Sequence, residues 1–200
     1  MFFIFKDAEF APTKNHLYQT IPTLYKQWCV ALDINPTGTV AGYASIIHVG
    51  LGPDHASYGD RTPSIQFKAQ TTMMHISSAV NGNENYYPSD TSALPMNEWT
   101  QVEMSQLRLT DGSYQYTIKI NDQIYDQIIN NDAREFENIK VYTGDNYSFA
   151  PAATIRNLKI NTFPESYVYN CKFSYSSTLN QFKLLLSCLS TNTSMGFPKW

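Results

Sequence analysis

The sequence has few charged residues and no cluster of like charge. Asp, Glu, Lys and Arg make up only 16% of its 200 residues, and 14 basic against 17 acidic side chains give a formal net charge of −3. A protein that binds a phosphate backbone needs a patch of Lys and Arg, and this sequence has no such patch. We therefore expect no nucleic-acid partner.

The sequence also lacks a long apolar run. The run that opens it, Met1 to Phe5, is shorter than the roughly 7–15 apolar residues of a signal peptide, and Asp7 and Glu9 follow it closely. No stretch approaches the roughly 20 apolar residues that cross a bilayer. We expect no membrane insertion, and a chain that is either cytosolic or has lost its natural N-terminus.

Cysteine is scarce, with three residues in the whole chain. Cys29 lies in a predicted strand, where a buried free thiol behaves as a small apolar residue. Cys171 and Cys188 could pair with each other in an oxidising compartment, which would leave one thiol over. The cysteines therefore leave the redox compartment open.

Aromatic residues, in contrast, are abundant at 14%, and they recur at alternate positions. In 28–34 and 114–120 every second residue is apolar or aromatic, which is the period of a half-buried strand. Turn residues separate such segments, and Asn121-Asp122 predicts a hairpin. Many short alternating strands, with no helical period before residue 162, predict an all-β antiparallel sandwich. The other strand candidates are 43–51, 64–68, 73–79, 99–105, 124–129, 137–142 and 154–160.

The amino-acid composition changes near the C-terminus of the sequence. Residues 170–200 are rich in Ser, Thr and Asn, with scattered aromatic and aliphatic residues and no sustained period. We predict one domain, residues 1–162, followed by an irregular extension, residues 163–200, that could be disordered.

Several segments of the predicted domain resemble a known family when taken in order. They include Gly59-Asp60-Arg61-Thr62-Pro63, Asn97-Glu98-Trp99, and the segments 75–83, 116–121, 136–142 and 155–158. Over about residues 24–162 the chain resembles concanavalin A-like jelly-roll domains, of the laminin G and pentraxin type, of invertebrate extracellular proteins. The resemblance implies a jelly-roll β-sandwich, an extracellular location, and non-catalytic recognition of glycans, matrix or partner proteins. Because the chain carries no secretory leader, it could be a fragment of a secreted protein.

Two loops of the predicted sandwich combine polar and aromatic side chains, as sugar-binding sites do. Amide and carboxylate groups fix sugar hydroxyls, and an aromatic face stacks on the pyranose ring. Residues of these types are also what any sandwich loop contains, so a purely structural role is the alternative. The candidate ligand-binding residues are Asn83, Asn85, Tyr86 and Tyr87 in loop 81–90, and Asp145, Asn146 and Tyr147 in loop 144–147.

Calcium is the metal that the resemblance implies, since related jelly rolls bind it at a loop edge. Calcium takes six to eight oxygen ligands, and Asp54, Asp60 and Asp145 with loop carbonyls could supply some of them. The alternative for Asp60 is an ion pair with the adjacent Arg61. We expect no required cofactor, and calcium is the one candidate.

Catalytic motifs are missing from the sequence. Jelly rolls that cleave β-glucans carry closely spaced carboxylates on one strand, whereas Glu103 stands alone on its predicted strand. There is no Gly-x-Ser-x-Gly elbow. We expect a non-enzyme, lectin-like or adhesive, that binds glycan or matrix through the edge loops of the sandwich. The alternative is a structural or protein-interaction domain with an exposed aromatic patch, and a divergent glycoside hydrolase ranks last.

Overall fold

Twelve strands build the domain. The computed structural model describes residues 1–52 and 57–166, and the described residues include no helix, hence none that could span a membrane. The strands are β1 (Phe2–Lys6), β2 (Leu17–Leu24), β3 (Gln27–Pro36), β4 (Ala44–Gly50), β5 (Ser64–Phe67), β6 (Met74–Val80), β7 (Asn83–Tyr86), β8 (Thr100–Arg108), β9 (Tyr114–Ile120), β10 (Gln123–Ile129), β11 (Phe136–Tyr142) and β12 (Ala153–Phe163).

The strands form two six-stranded antiparallel sheets. Sheet 1 has the order β1-β12-β3-β8-β9-β10, and sheet 2 has the order β2-β11-β4-β5-β6-β7. The predicted all-β antiparallel sandwich is therefore confirmed, and all nine strands predicted from alternation are present. The strands β1, β2 and β7 were not predicted. Each of them lies at the edge of its sheet, where little of a strand is buried and alternation is weak.

The core lies between the two sheets and is lined by the alternating residues of the central strands. In β3 the residues Trp28, Val30, Leu32 and Ile34 are all buried in it, as their period predicts. The Trp28 ring meets the Tyr116 ring of β9 at a centroid distance of 6.1 Å. Trp28 and Tyr116, one from each of the two alternating segments, are therefore core residues, whereas Tyr114 is only partly buried.

The hairpin that joins β9 to β10 is also confirmed. Asn121 and Asp122 have φ of 48° and 64°, a left-handed conformation that these two residue types tolerate well. Ile120 and Gln123 pair directly across this two-residue turn.

The last described strand and Cys29 differ from expectation. Strand β12 includes Phe163, one residue past the predicted domain boundary, and that side chain is fully buried.

Cys29 is disulfide-bonded, so the prediction of a free thiol is wrong. Since its neighbours in β3 face the core, Cys29 faces away from it, toward the outer face of sheet 1. Its partner lies outside the described residues, as do Cys171, Cys188 and residues 167–200 of the predicted extension.

Candidate functional site on the outer face of sheet 2

The outer face of sheet 2 carries a polar pair at its centre. His75 of β6 and Gln66 of β5 are direct cross-strand neighbours in the antiparallel register. The residues on either side of His75, Met74 and Ile76, are buried in the core. Because side chains alternate along a strand, His75 and Gln66 both point away from the core.

Two exposed tyrosines flank His75. The Tyr87 ring lies 4.5 Å from the imidazole, centroid to centroid, at an interplanar angle of 55°, and the Tyr43 ring lies 6.1 Å away, edge-on. Tyr43 and Tyr87 keep 44% and 47% of their surface exposed. This part of the sheet therefore presents aromatic surface to solvent on both sides of a part-buried imidazole.

A carboxylate and an ammonium group complete the cluster. Asp90 Oδ1 lies 3.0 Å from His75 Nδ1, and Lys68 Nζ donates to Asp90 Oδ2 at 2.5 Å. The hydrogen bond from Lys68, with that from His75, holds the pKa of Asp90 below its usual range. Asp90 is therefore a carboxylate at neutral pH and fixes the imidazole through Nδ1, which directs Nε2 away from it. We call Tyr43, Lys68, His75, Tyr87 and Asp90 the tyrosine–histidine cluster.

The loop that carries Tyr87 is fastened to the opposite sheet. The Tyr86 hydroxyl donates to Asp126 of β10 at 2.9 Å, and burial together with this hydrogen bond raises the pKa of Tyr86 to about 12. The Tyr125 hydroxyl, also in β10, donates to the carbonyl oxygen of Asp90 at 3.1 Å and contacts the Ser89 hydroxyl at 2.8 Å. These contacts hold the loop in place, so Tyr87 is positioned before any ligand arrives.

A second loop, residues 144–149, is joined to the centre of the same face. Asp145 Oδ1 accepts the backbone N–H groups of Tyr147 and Ser148, at 3.0 and 2.7 Å. Asp145 Oδ2 accepts the Ser148 hydroxyl at 3.2 Å and the Gln66 amide at 3.3 Å. Burial tends to raise the pKa of Asp145, but the hydrogen bonds from Ser148, together with smaller contributions from His48 and Ser45, outweigh burial and leave that pKa below its usual range.

The structure separates the residues predicted for the first loop. Tyr87 belongs to the tyrosine–histidine cluster, whereas Tyr86 turns inward, with its ring against Tyr116. Asn83 and Asn85 lie in the edge strand β7, where Asn83 Oδ1 accepts the backbone N–H of Asn85 at 2.9 Å. Their hydrogen bond shapes the β7 segment.

The predicted residues of the second loop also differ from one another. Asn146 and Tyr147 are exposed, while Asp145 is buried and its carboxylate holds the loop. Among the described residues no group of three His, Cys, Asp or Glu side chains could hold a metal. Asp60 is buried and accepts the backbone N–H of Ser57 at 2.8 Å, and Asp145 accepts hydrogen bonds from its own loop. Calcium binding by these two carboxylates stays a prediction. Asp54 lies outside the described residues.

Four residues of the cluster were missed at the sequence level: Tyr43, Lys68, His75 and Asp90. The alternation in 73–79 places His75 opposite to Met74 and Ile76, which is a signal for an outward-facing side chain. The contact between His75 and Asp90, 15 positions apart, depends on how the β7 loop folds back over the sheet. The sequence pattern carries no information on that path.

Comparison with known proteins supports the fold. No protein-family model and no curated protein sequence matches the chain. A heptameric SAP-like pentraxin from Limulus polyphemus is similar in structure with a TM-score of 0.52 and 12% identity, over 78% of this chain and 76% of that one. The receptor-binding domain of botulinum neurotoxin D gives 0.51 and 12%, over 80% and 44%, and a Trypanosoma rangeli sialidase gives 0.52 and 11%, over 78% and 25%. This chain thus spans less than half of the latter two. The similarities confirm the jelly-roll β-sandwich fold.

Proposed function

On this concanavalin A-like scaffold, we propose a non-catalytic, lectin-like module that binds a glycan on the outer face of sheet 2. The observation that carries the proposal is the pair of exposed tyrosines, Tyr43 and Tyr87, on the two sides of His75. Sugar rings present apolar C–H faces that stack on aromatic rings and hydroxyls that need fixed polar partners. The tyrosine–histidine cluster offers both within one rigid surface.

Each group of the cluster has a distinct part in this proposal. Tyr87 and Tyr43 are the stacking surfaces. The Nε2 atom of His75 and the remaining N–H groups of Lys68 address sugar hydroxyls, since an ammonium group has three donors and Asp90 takes one. Asp90 positions both of them. Because Asp90 and its loop are already held, little conformational entropy is lost when a ligand binds.

The carboxylates of the domain favour binding over catalysis. Ordinary glycosidases need two carboxyl groups roughly 5–10 Å apart that face the bound sugar. At the proposed site Asp90 is ion-paired with Lys68, and Asp145 is buried beneath its own loop. On the outer face of sheet 1, Glu103 is paired with Lys119 at 3.0 Å. We therefore propose recognition without cleavage.

The disulfide at Cys29 supports the proposed extracellular location. Disulfides persist in oxidising compartments and are rare in the cytosol. We therefore propose that the module is secreted and that it adheres to matrix or to a cell surface.

A protein partner is the second candidate, and one observation favours it. Tyr147 and Phe149 are each 54% exposed on one short loop, and aromatic side chains in a fixed position are common anchors of protein interfaces. Capture of a protein by a chain that binds no glycan would favour this candidate.

Tyr87→Ala is expected to weaken glycan binding about tenfold, because the ring that stacks on the sugar is removed. The full chain is applied to a glycan array with calcium and again with a chelator, and the affinity of the best hit is then measured for the variant. Phe3→Ala is the matched control, since Phe3 is about equally exposed but lies on sheet 1. A blank array from folded protein, or equal affinity in Tyr87→Ala and the wild type, contradicts the proposal. Loss of binding under the chelator would support the calcium candidates.

A further inference from the structure

We propose that residues 167–200 of this chain cover the outer face of sheet 1 and are tied to it by a disulfide between Cys29 and Cys171. The proposal concerns the sheet opposite the candidate glycan site, so it does not depend on the proposed function. It assigns the outer face of sheet 1 to a contact within the chain and leaves that of sheet 2 for a ligand.

Phe163 is buried on the outer side of sheet 1. It pairs with Gln27, one position before the inward-facing Trp28, so its side chain faces away from the core, as that of Cys29 does. Phe163 is fully buried, yet it does not belong to the hydrophobic cluster between the two sheets. Phe3, on the same face at the edge of the sheet, is 44% exposed. An aromatic ring on an outer face is buried only where something covers it.

The centre of this face is also shielded from solvent. Asn161, Ser105 and Thr117 lie in one cross-strand row with Cys29, and each of the three is at most 8% exposed. All twelve strands belong to the two sheets, so no strand of residues 1–52 and 57–166 forms a third layer over this row. We assign the cover to residues 167–200, the largest part of the chain beyond those ranges.

The disulfide at Cys29 fixes a point of attachment on this face. The sequence has only two other cysteines, Cys171 and Cys188, and both lie beyond residue 166. A bond from Cys29 to either of them therefore joins the C-terminal segment to the centre of sheet 1. Its formation takes two protons and two electrons from two thiols, which an oxidised disulfide of a secretory compartment accepts.

The path of the described chain favours Cys171 as the partner. After β12 the Glu165 carboxylate contacts Lys26 Nζ at 2.9 Å, which places the end of β12 beside the start of β3. Cys29 is three positions past Lys26, roughly 10 Å along the strand, and five residues after Ser166 can span up to roughly 17 Å. Cys171 is therefore within reach of Cys29. The shorter loop also closes with a smaller loss of chain entropy than the loop to the more distant cysteine.

The pattern of the sequence around Cys171 fits a segment that lies on a sheet face. From 167 to 175 every second residue is aromatic or cysteine, which is the period of a strand with one apolar side. Cys171 is at the centre of that side, so its bond to Cys29 turns the aromatic neighbours toward sheet 1. The alternating residues are Tyr167, Tyr169, Cys171, Phe173 and Tyr175.

The charge of the segment is complementary to that of the remaining chain. Residues 167–200 contain three lysines, Lys172, Lys183 and Lys199, and no acidic residue. Without those three, the 14 basic residues of the chain fall to 11, against all 17 acidic residues. Opposite net charges favour contact between the segment and the domain.

Mapping of the disulfide tests the assignment of Cys171. Trypsin cuts after Lys and Arg, which places Cys29, Cys171 and Cys188 in three different peptides, 27–61, 160–172 and 184–199. The oxidised full chain is alkylated without reduction, digested under denaturing conditions and analysed by mass spectrometry, and a non-reducing gel reports its size. We expect a monomer in which peptide 27–61 is linked to 160–172 and Cys188 is alkylated.

Trypsin cleavage of the native chain after Lys172 tests the cover. A covered segment is cut only when it opens, so we expect slow cleavage in the wild type. The double variant Cys29→Ser/Cys171→Ser is expected to be cut about tenfold faster, because the tie to the sheet is lost. Cys188→Ser is the matched control and should be cut at the wild-type rate.

A second pair of variants tests the aromatic side of the segment. Tyr169→Ala is expected to speed the same cleavage about threefold or more, because a ring that packs on sheet 1 is removed. Val168→Ala is the matched control, since Val168 lies on the other side of the alternation and should leave the rate unchanged.

Each alternative result overturns a named part of the proposal. A link between peptides 27–61 and 184–199 would show that Cys188 is the partner and that the assignment of Cys171 is wrong. A disulfide-linked dimer on the gel would show that a second copy is bonded to Cys29, which overturns the cover by the chain's own segment. Equal cleavage rates in the wild type and the double variant would show that the segment does not cover the face.

Discussion

Replacing Trp28 by Ala is expected to lower the free energy of unfolding by about 3–5 kcal/mol. Trp28 is 1% exposed and projects into the core from β3, a central strand held between β12 and β8. Its ring contacts the buried ring of Tyr116 from β9. Because strands border this position on both sides, the core cannot collapse around the missing ring, and a cavity remains.

Chemical unfolding of the oxidised chain, followed by fluorescence or circular dichroism, measures this loss. Trp99→Ala is the control of identical chemistry, since Trp99 is only half-buried and its ring contacts the Arg156 guanidinium at 4.0 Å. We expect it to cost less than about 2 kcal/mol, from a surface cation–π contact and partial burial. A loss below 1 kcal/mol in Trp28→Ala, or equal losses in both variants, would show that the inner face of β3 is assigned wrongly.

Much of the fold could be predicted because its central strands are buried on one face. Burial on one face forces apolar residues into every second position, as in 28–34, and register is then fixed by the same pattern. Edge strands lack this constraint. Strand β7 is the polar segment Asn83–Tyr86, and β2 contains Pro22, which alternation alone cannot recognise as strand.

The candidate site was predictable only in part, because it depends on contacts between distant segments. Sequence composition selects both loops that border the outer face of sheet 2. It does not show that Gln66 and His75 lie side by side between them, since that follows from the register of β5 and β6. Composition also fails to predict the structural role of Asp145. In the sequence alone, a carboxylate that accepts backbone N–H groups within its own loop cannot be distinguished from a carboxylate that binds a ligand.

Asp145→Ala is therefore expected to lower the free energy of unfolding by about 2–4 kcal/mol. If Asp145 were a ligand-binding residue, as the sequence suggests, the substitution would weaken glycan binding and leave stability unchanged. The carboxylate accepts hydrogen bonds from Ser148, Tyr147 and Gln66, and Ser148 is itself buried. Removing the acceptor leaves the backbone N–H groups of Tyr147 and Ser148 without this partner, whereas the Gln66 amide keeps its hydrogen bond to the Ser148 hydroxyl. A buried donor that loses its charged acceptor lowers the stability of the fold. Equilibrium unfolding at pH 7 measures the effect. Asp111→Ala is the matched control, because Asp111 accepts the backbone N–H of Ser113 in a similar but exposed turn and should change stability far less.

The stability that the Asp145 carboxylate contributes is also expected to depend on pH. The pKa of Asp145 is lower in the folded chain than the value of about 3.9 for an unfolded Asp. Its contribution is therefore complete above that unfolded value and is lost as the pH falls through the folded pKa. The gap in stability between the wild type and Asp145→Ala should be constant near neutral pH and narrow below about pH 4. Asp145→Asn, which keeps an acceptor oxygen but does not titrate, should lack this acid-dependent part. A gap that stays constant to the lowest accessible pH would mean that the Asp145 carboxylate does not hold the loop in its charged form.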